Sequence, residues 1–182
     1  MVSESPLEST EHGLVPTGEG WFVMNARDAP WYARDRRGFY CEFEGFEEHK
    51  PDFSQLGVNV TVLGPGEPMG MYHWEADQED FLVIAGEALL IVEGEERPLR
   101  QWDFVHCPPK TQHTIIGAGE KGCAVVAVGG RDRSTGPKRA YTVDEAALRH
   151  SAGVEQETTD PDEAYAQFGP SERSRYREGW LP

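Results

Sequence analysis

The chain has 182 residues, 38% of them hydrophobic, and a formal net charge of −15. That length suits one domain with extensions, and the charge argues against nucleic acid and anionic membrane surfaces as partners. Most of the excess acid lies between residues 41 and 121, where Glu42, Glu44, Glu47, Glu48, Glu93, Glu95 and Glu96 read as a solvated face.

Residues 1 to 20 are rich in Ser, Glu, Gly and Pro and read as a frayed extension. This polar, acidic start carries no apolar run of the kind a secretory signal needs. Trp21-Phe22-Val23-Met24 reads as a first strand and Phe39 to Phe43 as a second, with an acidic loop from Glu44 to Ser54. Val58 to Leu63 alternates with period two and carries β-branched residues, a strand signature. Phe81 to Ile84 and Ala88 to Val92 are apolar runs separated by Gly86-Glu87, which reads as a turn. Glu93 to Glu96 reads as a hairpin turn with Gly94 free to take φ > 0. Strands follow at Trp102 to Cys107, Thr114 to Ile116 and Cys123 to Val128, with a second hairpin turn over Gly117 to Gly122. Short strands punctuated by Gly and Pro indicate a β-sandwich or barrel.

After Gly130 the pattern turns helical. Thr142 and Glu145 fit a capping box for one short helix. Asp160 caps a second with Pro161 at its first position. The segment from Arg173 to Pro182, with Tyr176 and Trp180, reads as a tail packed on the barrel or on a second subunit. Cys41, Cys107 and Cys123 are an odd number without metal spacing, so a disulfide framework is not expected and a cytoplasmic location is. Cys107 and Cys123 read as small buried hydrophobes. No apolar stretch is long enough to span a bilayer as a helix.

The chemistry concentrates in two stretches. The first, Gly66 to Gly86, carries His73, Glu75 and Glu79; the second, Trp102 to Gly117, carries His113. Imidazole and carboxylate are ligands for borderline and hard divalent cations. On a strand, His73 and Glu75 share one face while Tyr72 and Trp74 take the other. His106 lies on the strand before Pro108-Pro109 and is a candidate pocket residue. His12, His49 and His150 stand in polar surroundings and read as structural.

These stretches resemble the two motifs of the cupin superfamily of small β-barrels. Gly66, His73-Trp74-Glu75, Glu79 and Gly86 stand at the positions of the first motif, and Trp102, Pro108-Pro109-Lys110, His113 and Gly117 at those of the second. The chain departs from the family pattern at Glu75, which replaces a second His, at Trp102 and Lys110, which replace Gly, and at Gly117, which replaces Asn. The resemblance covers roughly residues 55 to 130. It implies an all-β, double-stranded β-helix (jelly-roll) barrel with short C-terminal helices. The expected division is an N-terminal extension over 1–54, the barrel over 55–130 and a helical tail over 131–182.

The resemblance also implies one divalent metal ion per chain, Fe, Mn, Ni or Zn, held by His73, Glu79 and His113. Glu75 is either a fourth ligand or a catalytic base. The alternative is a polar cluster held by hydrogen bonds without an ion. The function expected is a metal-dependent enzyme, oxygenase-like or isomerase-like, acting on a small organic molecule. The competing reading is a non-catalytic ligand-binding or sensor barrel. A homodimer is expected, because an exposed barrel edge is a pairing site unless covered.

Overall fold

The computed structural model describes residues 1–44, 55–131 and 136–182. In chain order the strands are β1 (Leu7–Thr10), β2 (Gly13–Pro16), β3 (Trp31–Ala33), β4 (Phe39–Glu42), β5 (Leu56–Leu63), β6 (His73–Glu75), β7 (Glu79–Val92), β8 (Glu95–Arg100), β9 (Phe104–Cys107), β10 (His113–Gly130) and β11 (Arg139–Tyr141). Helices α1 (Glu145–Arg149) and α2 (Pro161–Ala164) follow, then β12 (Glu172–Ser174). All strand pairs are antiparallel. The expected all-β, double-stranded β-helix fold is what the chain adopts.

Strands β7 and β10 carry the architecture, because each runs through both layers. The second half of β10, Cys123 to Gly129, lies between β5 and the first half of β7, and β4, β3 and β12 extend that layer beyond β5. The first half of β10 pairs with the second half of β7, and β6, β11 and β8 complete the other layer. Both long strands change layer at one corner, where the register shifts between Ala118 and Cys123. The expected turns at Gly86 and over Gly117 to Gly122 are therefore bends inside continuous strands. The cause is close backbone approach: a Cβ on Gly86 would meet the Gly122 carbonyl oxygen at 2.0 Å, and one on Gly122 would meet the Leu63 carbonyl oxygen at 1.8 Å. Glycine in a strand marks such a corner. The turn between β7 and β8 is where the sequence puts it, with Glu93 and Gly94 both at positive φ.

Inward residues of both layers form one core: Leu63, Phe81, Val83, Leu90, Ile115 and Val125 are among its members, together with Cys107 and Cys123. All three cysteines are free thiols in buried positions, and burial pushes the Cys107 and Cys123 thiols up to about 12. They pack as small hydrophobes. A second layer forms outside the sheet, where Trp31, fully buried, packs with Tyr176 and Trp180 of the tail. The C-terminal segment is thus part of the fold, pinned by the pairing of β12 with β3.

Two local readings are corrected. Trp21 to Met24 is not a strand: only Trp21 is bridged, to Glu4, and Val23 is exposed. The N-terminal hairpin is β1–β2 instead. Helix α1 is capped by Asp144, whose carboxylate accepts from the Ala147 amide at 2.8 Å, and not by Thr142. The Thr142 hydroxyl donates to Gln112 Oε1 across the molecule, so it is not free to cap. Asp160 and Pro161 do start α2, which stops after one turn at Ala164. The acidic loop, with Glu47, Glu48 and His49, lies outside the described residues.

Candidate metal centre

The register of the sheet brings the two motifs together. His73 on β6 pairs directly with His113 on β10, so both rings stand on one face, 5.3 Å apart between centroids. Glu79 opens β7 beside them. His113 Nε2 lies 3.4 Å from Glu79 Oε2, and His73 Nε2 lies 4.0 Å from the same oxygen. His73, Glu79 and His113 form the group, among the described residues, whose ligand atoms all lie within 4.8 Å of one another.

The hydrogen bonds behind the rings decide what this group presents. His73 Nδ1 lies 2.7 Å from the Met71 carbonyl oxygen, and His113 Nδ1 lies 3.0 Å from that of Thr111. A carbonyl oxygen only accepts, so in each neutral ring Nδ1 carries the proton and Nε2 offers its lone pair. Glu79 Oε2, buried and without a hydrogen-bond partner, faces both lone pairs. With Glu79 ionised, three acceptors converge with no donor among them. An arrangement of this kind is satisfied by a cation, and the carbonyl-held imidazoles are the orientation metal ligands adopt. The residues fit a divalent ion, and their mix of imidazole and carboxylate does not choose among Fe, Mn, Ni and Zn.

The electrostatics agree. Burial, with the Glu75 charge adding to it and His73 opposing it, pushes the Glu79 carboxyl up to about 7. Burial and then the neighbouring His73 pull His113 down to about 4. An ion would reverse the first and match the second, since a ligand carboxylate must be ionised and a ligand imidazole neutral.

Residues 59–129 match the family model described as Cupin domain. Over those residues the chain carries a cupin domain. Three solved structures similar to this cupin are a protein of Acidithiobacillus ferrooxidans described provisionally as a sugar phosphate isomerase (23% identity, TM-score 0.42), a sugar phosphate isomerase of Silicibacter pomeroyi (21%, 0.44) and a Cupin 2 conserved barrel domain protein of Salinispora arenicola (21%, 0.43). They cover 47%, 59% and 52% of this chain and 54%, 72% and 75% of their own. The cupin therefore spans about half the length of the first. Likeness at this level says nothing of a shared activity. No curated protein matches the chain.

Glu75 of this cupin lies beside the three-residue group and outside it. Its Oε1 is 3.5 Å from His73 Nε2 and 3.3 Å from Arg139 Nε. Arg139 comes from β11, paired in register with Glu75, and its neighbour on that face, Tyr141, is paired with His73. Sequence reasoning missed both, because a three-residue strand in a tail carries no periodicity to read. Glu75 and Glu79 line a cavity of about 350 Å³ together with Glu44, Asn59, Arg131 and Arg139. Its charges are largely paired: Arg131 holds Glu44 at 2.6 Å, as Arg139 holds Glu75.

His106 is not in this cavity. Val105 and Cys107 take the inward positions of β9, which turns His106 outward, half-exposed, with Nδ1 2.7 Å from Asp80 Oδ1. The pocket role expected for His106 is withdrawn on this geometry. Trp102 and Lys110, the two residues that replace motif glycines, both sit at positive φ, 76° and 74°. Trp102 is 67% exposed. Lys110 instead lies over the outward ring of Trp74, 3.2 Å from its centroid, and its amide donates to the Glu75 carbonyl oxygen at 2.8 Å. The second motif thereby clamps the strand that carries His73 and Glu75.

Proposed function

We propose that this cupin is a divalent-metal-dependent enzyme that shifts a proton on a small oxygen-bearing molecule, an isomerase-like reaction. The observation that carries the reading is the convergence of His73, Glu79 and His113, of which Glu79 lines a cavity that a further carboxylate, Glu75, lines as well. When bound, the ion supplies Lewis-acid polarisation of a substrate oxygen. The chain's own residues do the rest. Met71 and Thr111 hold the imidazoles in one tautomer, Glu79 would supply the anionic ligand atom, and Glu75 would take the proton from the carbon α to a substrate carbonyl and give it to the former carbonyl carbon, while the α-hydroxyl proton passes to the former carbonyl oxygen. In this proposal residues 55–130 are the catalytic barrel, 1–54 an extension, and 131–182 a tail that lends Arg139 to the site.

A non-catalytic binding barrel is the second reading, and the mutual pairing of Glu75 with Arg139 and of Glu44 with Arg131 favours it. The discriminating experiment loads the protein with Mn, Fe, Ni or Zn and incubates it in D₂O with α-hydroxy aldehydes and ketones. Enzyme-dependent deuterium uptake at the α-carbon, lost in Glu75→Gln with the ion retained, supports the enzyme. Ligand-induced stabilisation without exchange or turnover assigns the binding barrel. Oxygen consumption with diketone substrates moves the assignment to an oxygenase.

The assembly we propose is a homodimer, and we place it in the cytoplasm. The edge strand β9 presents Phe104, 64% exposed, next to Trp102, which leaves an apolar surface of the kind a second copy covers.

A further inference from the structure

The replacement of a family histidine by Glu75 raises a question that the ligand group alone does not answer: whether this carboxylate belongs to the ion or to the substrate. The answer lies on β11. That strand falls beyond the matched residues 59–129, and its register sets Arg139 opposite Glu75 and Tyr141 opposite His73. Residues two apart share a face, so Arg139 and Tyr141 both stand on the side where the ligands converge.

Two contacts make this strand more than a cover. The Glu75 oxygen nearest the site, Oε1, is the one that Arg139 Nε approaches at 3.3 Å, on a guanidinium that remains half-exposed. Tyr141 is fully buried, with its ring 5.7 Å from that of His73 and 5.6 Å from that of Tyr165. The Tyr165 hydroxyl accepts from the Met71 amide at 3.2 Å, and the Met71 carbonyl oxygen holds His73 Nδ1. Tail residues therefore fix His73 from behind and draw Glu75 sideways.

We propose that Arg139 is a positioning residue that withholds Glu75 from the ion, so that two histidines and Glu79 form the ligand set and Glu75 stays free for the substrate. The inference rests on the metal-site reading above. Its physical basis is competition for one oxygen. A guanidinium already engages Oε1, and moving that oxygen onto a dication would break the pair and bring the two positive groups together. Without the guanidinium, Glu75 is a longer version of the histidine it replaces and reaches the ion.

Cobalt(II) titration, followed by visible absorption, tests this without relying on turnover. The parent and Glu75→Gln are expected to give the same spectrum and the same affinity. Arg139→Gln is expected to bind about tenfold tighter, with a changed spectrum as a second carboxylate joins, within the range by which neighbours of ligands tune affinity. The double variant Glu75→Gln, Arg139→Gln is expected to return to the parental spectrum, and Arg139→Lys to stay close to it. A Glu75→Gln variant that weakens binding by about tenfold or more and alters the spectrum makes Glu75 a ligand, which overturns the proposal and leaves the metal site standing. An unchanged spectrum in Arg139→Gln overturns it as well. Absence of cobalt binding in the parent removes the metal site and the proposal together. Circular dichroism of each variant in chelator separates these results from misfolding.

Discussion

At His73 and His113 the ring orientation is set from behind, by the Met71 and Thr111 carbonyls, so each Nε2 is offered before any ion arrives. His73→Ala, His113→Ala and Glu79→Gln should each lose the ion on metal analysis, because each removes one of three converging atoms. The same group predicts a pH signature in chelated protein. Glu79, raised from 4.5 to about 7, keeps a proton that the unfolded chain has lost. Its contribution to stability is complete below pH 4.5 and disappears as pH rises through 7. His113, lowered from 6.5 to about 4, refuses a proton that the unfolded chain takes up. Its contribution is complete above pH 6.5 and disappears as pH falls through 4. Between pH 4.5 and 6.5 the two slopes oppose and cancel. In urea titrations, Glu79→Gln should therefore gain stability with rising pH relative to the parent, by up to about 1.4 kcal/mol per pH unit. His113→Asn should lose it with the same slope. Parallel profiles in all three proteins would contradict the assignment of these shifts.

Elements bend or end according to what lies against them. The corner of β7 and β10 exists because three backbones meet there, and a Cβ on Gly122 would overlap the Leu63 carbonyl oxygen at φ +72°. Gly122→Ala is expected to cost well over about 2 kcal/mol, since left-handed strain alone accounts for roughly 1–2; thermal melting measures it. Trp102 is the opposite case, a large side chain held at φ 76° with most of its surface in solvent. In a monomer, Trp102→Gly should relieve strain and stabilise by about 1 kcal/mol. If Trp102 and Phe104 lie in a homodimer contact, the same change should shift light scattering toward the monomer at micromolar concentration. A parent protein that scatters as a monomer would end the dimer proposal.

For the whole molecule, an ion held by the converging acceptors would be a structural component as well as a chemical one. An ion at one hundred times its dissociation constant stabilises by about 2.7 kcal/mol, which in a chain of this size is a rise in Tm of roughly 5–10 °C. Chelation should reverse that rise in the parent and leave His113→Ala unchanged. Loading the parent at pH 6 should also release close to one proton per ion, because Glu79 gives up the proton that burial preserved.

Much of this was legible in the amino-acid order because it depends on short range. A β-strand alternates every residue, so His73 and Glu75 had to share a face, and apolar runs with glycine and proline between them had to become a layered β fold. What depended on distant partners was not legible. Whether Gly86 and Gly117–Gly122 turn or bend depends on the backbone packed against them. The outward face of His106 followed from which of its neighbours the core took, and the cap of α1 from Gln112 claiming the Thr142 hydroxyl. Arg139 and Tyr141 enter the site through the pairing of a three-residue strand with β6, a register fixed by tertiary contacts more than sixty residues apart in the chain and invisible in local pattern. The residue order thus determined the fold and which imidazole and carboxylate side chains are candidates to converge. The tertiary structure alone decided which neighbours surround the ligands, because long-range strand pairing leaves no periodic trace in so short a segment.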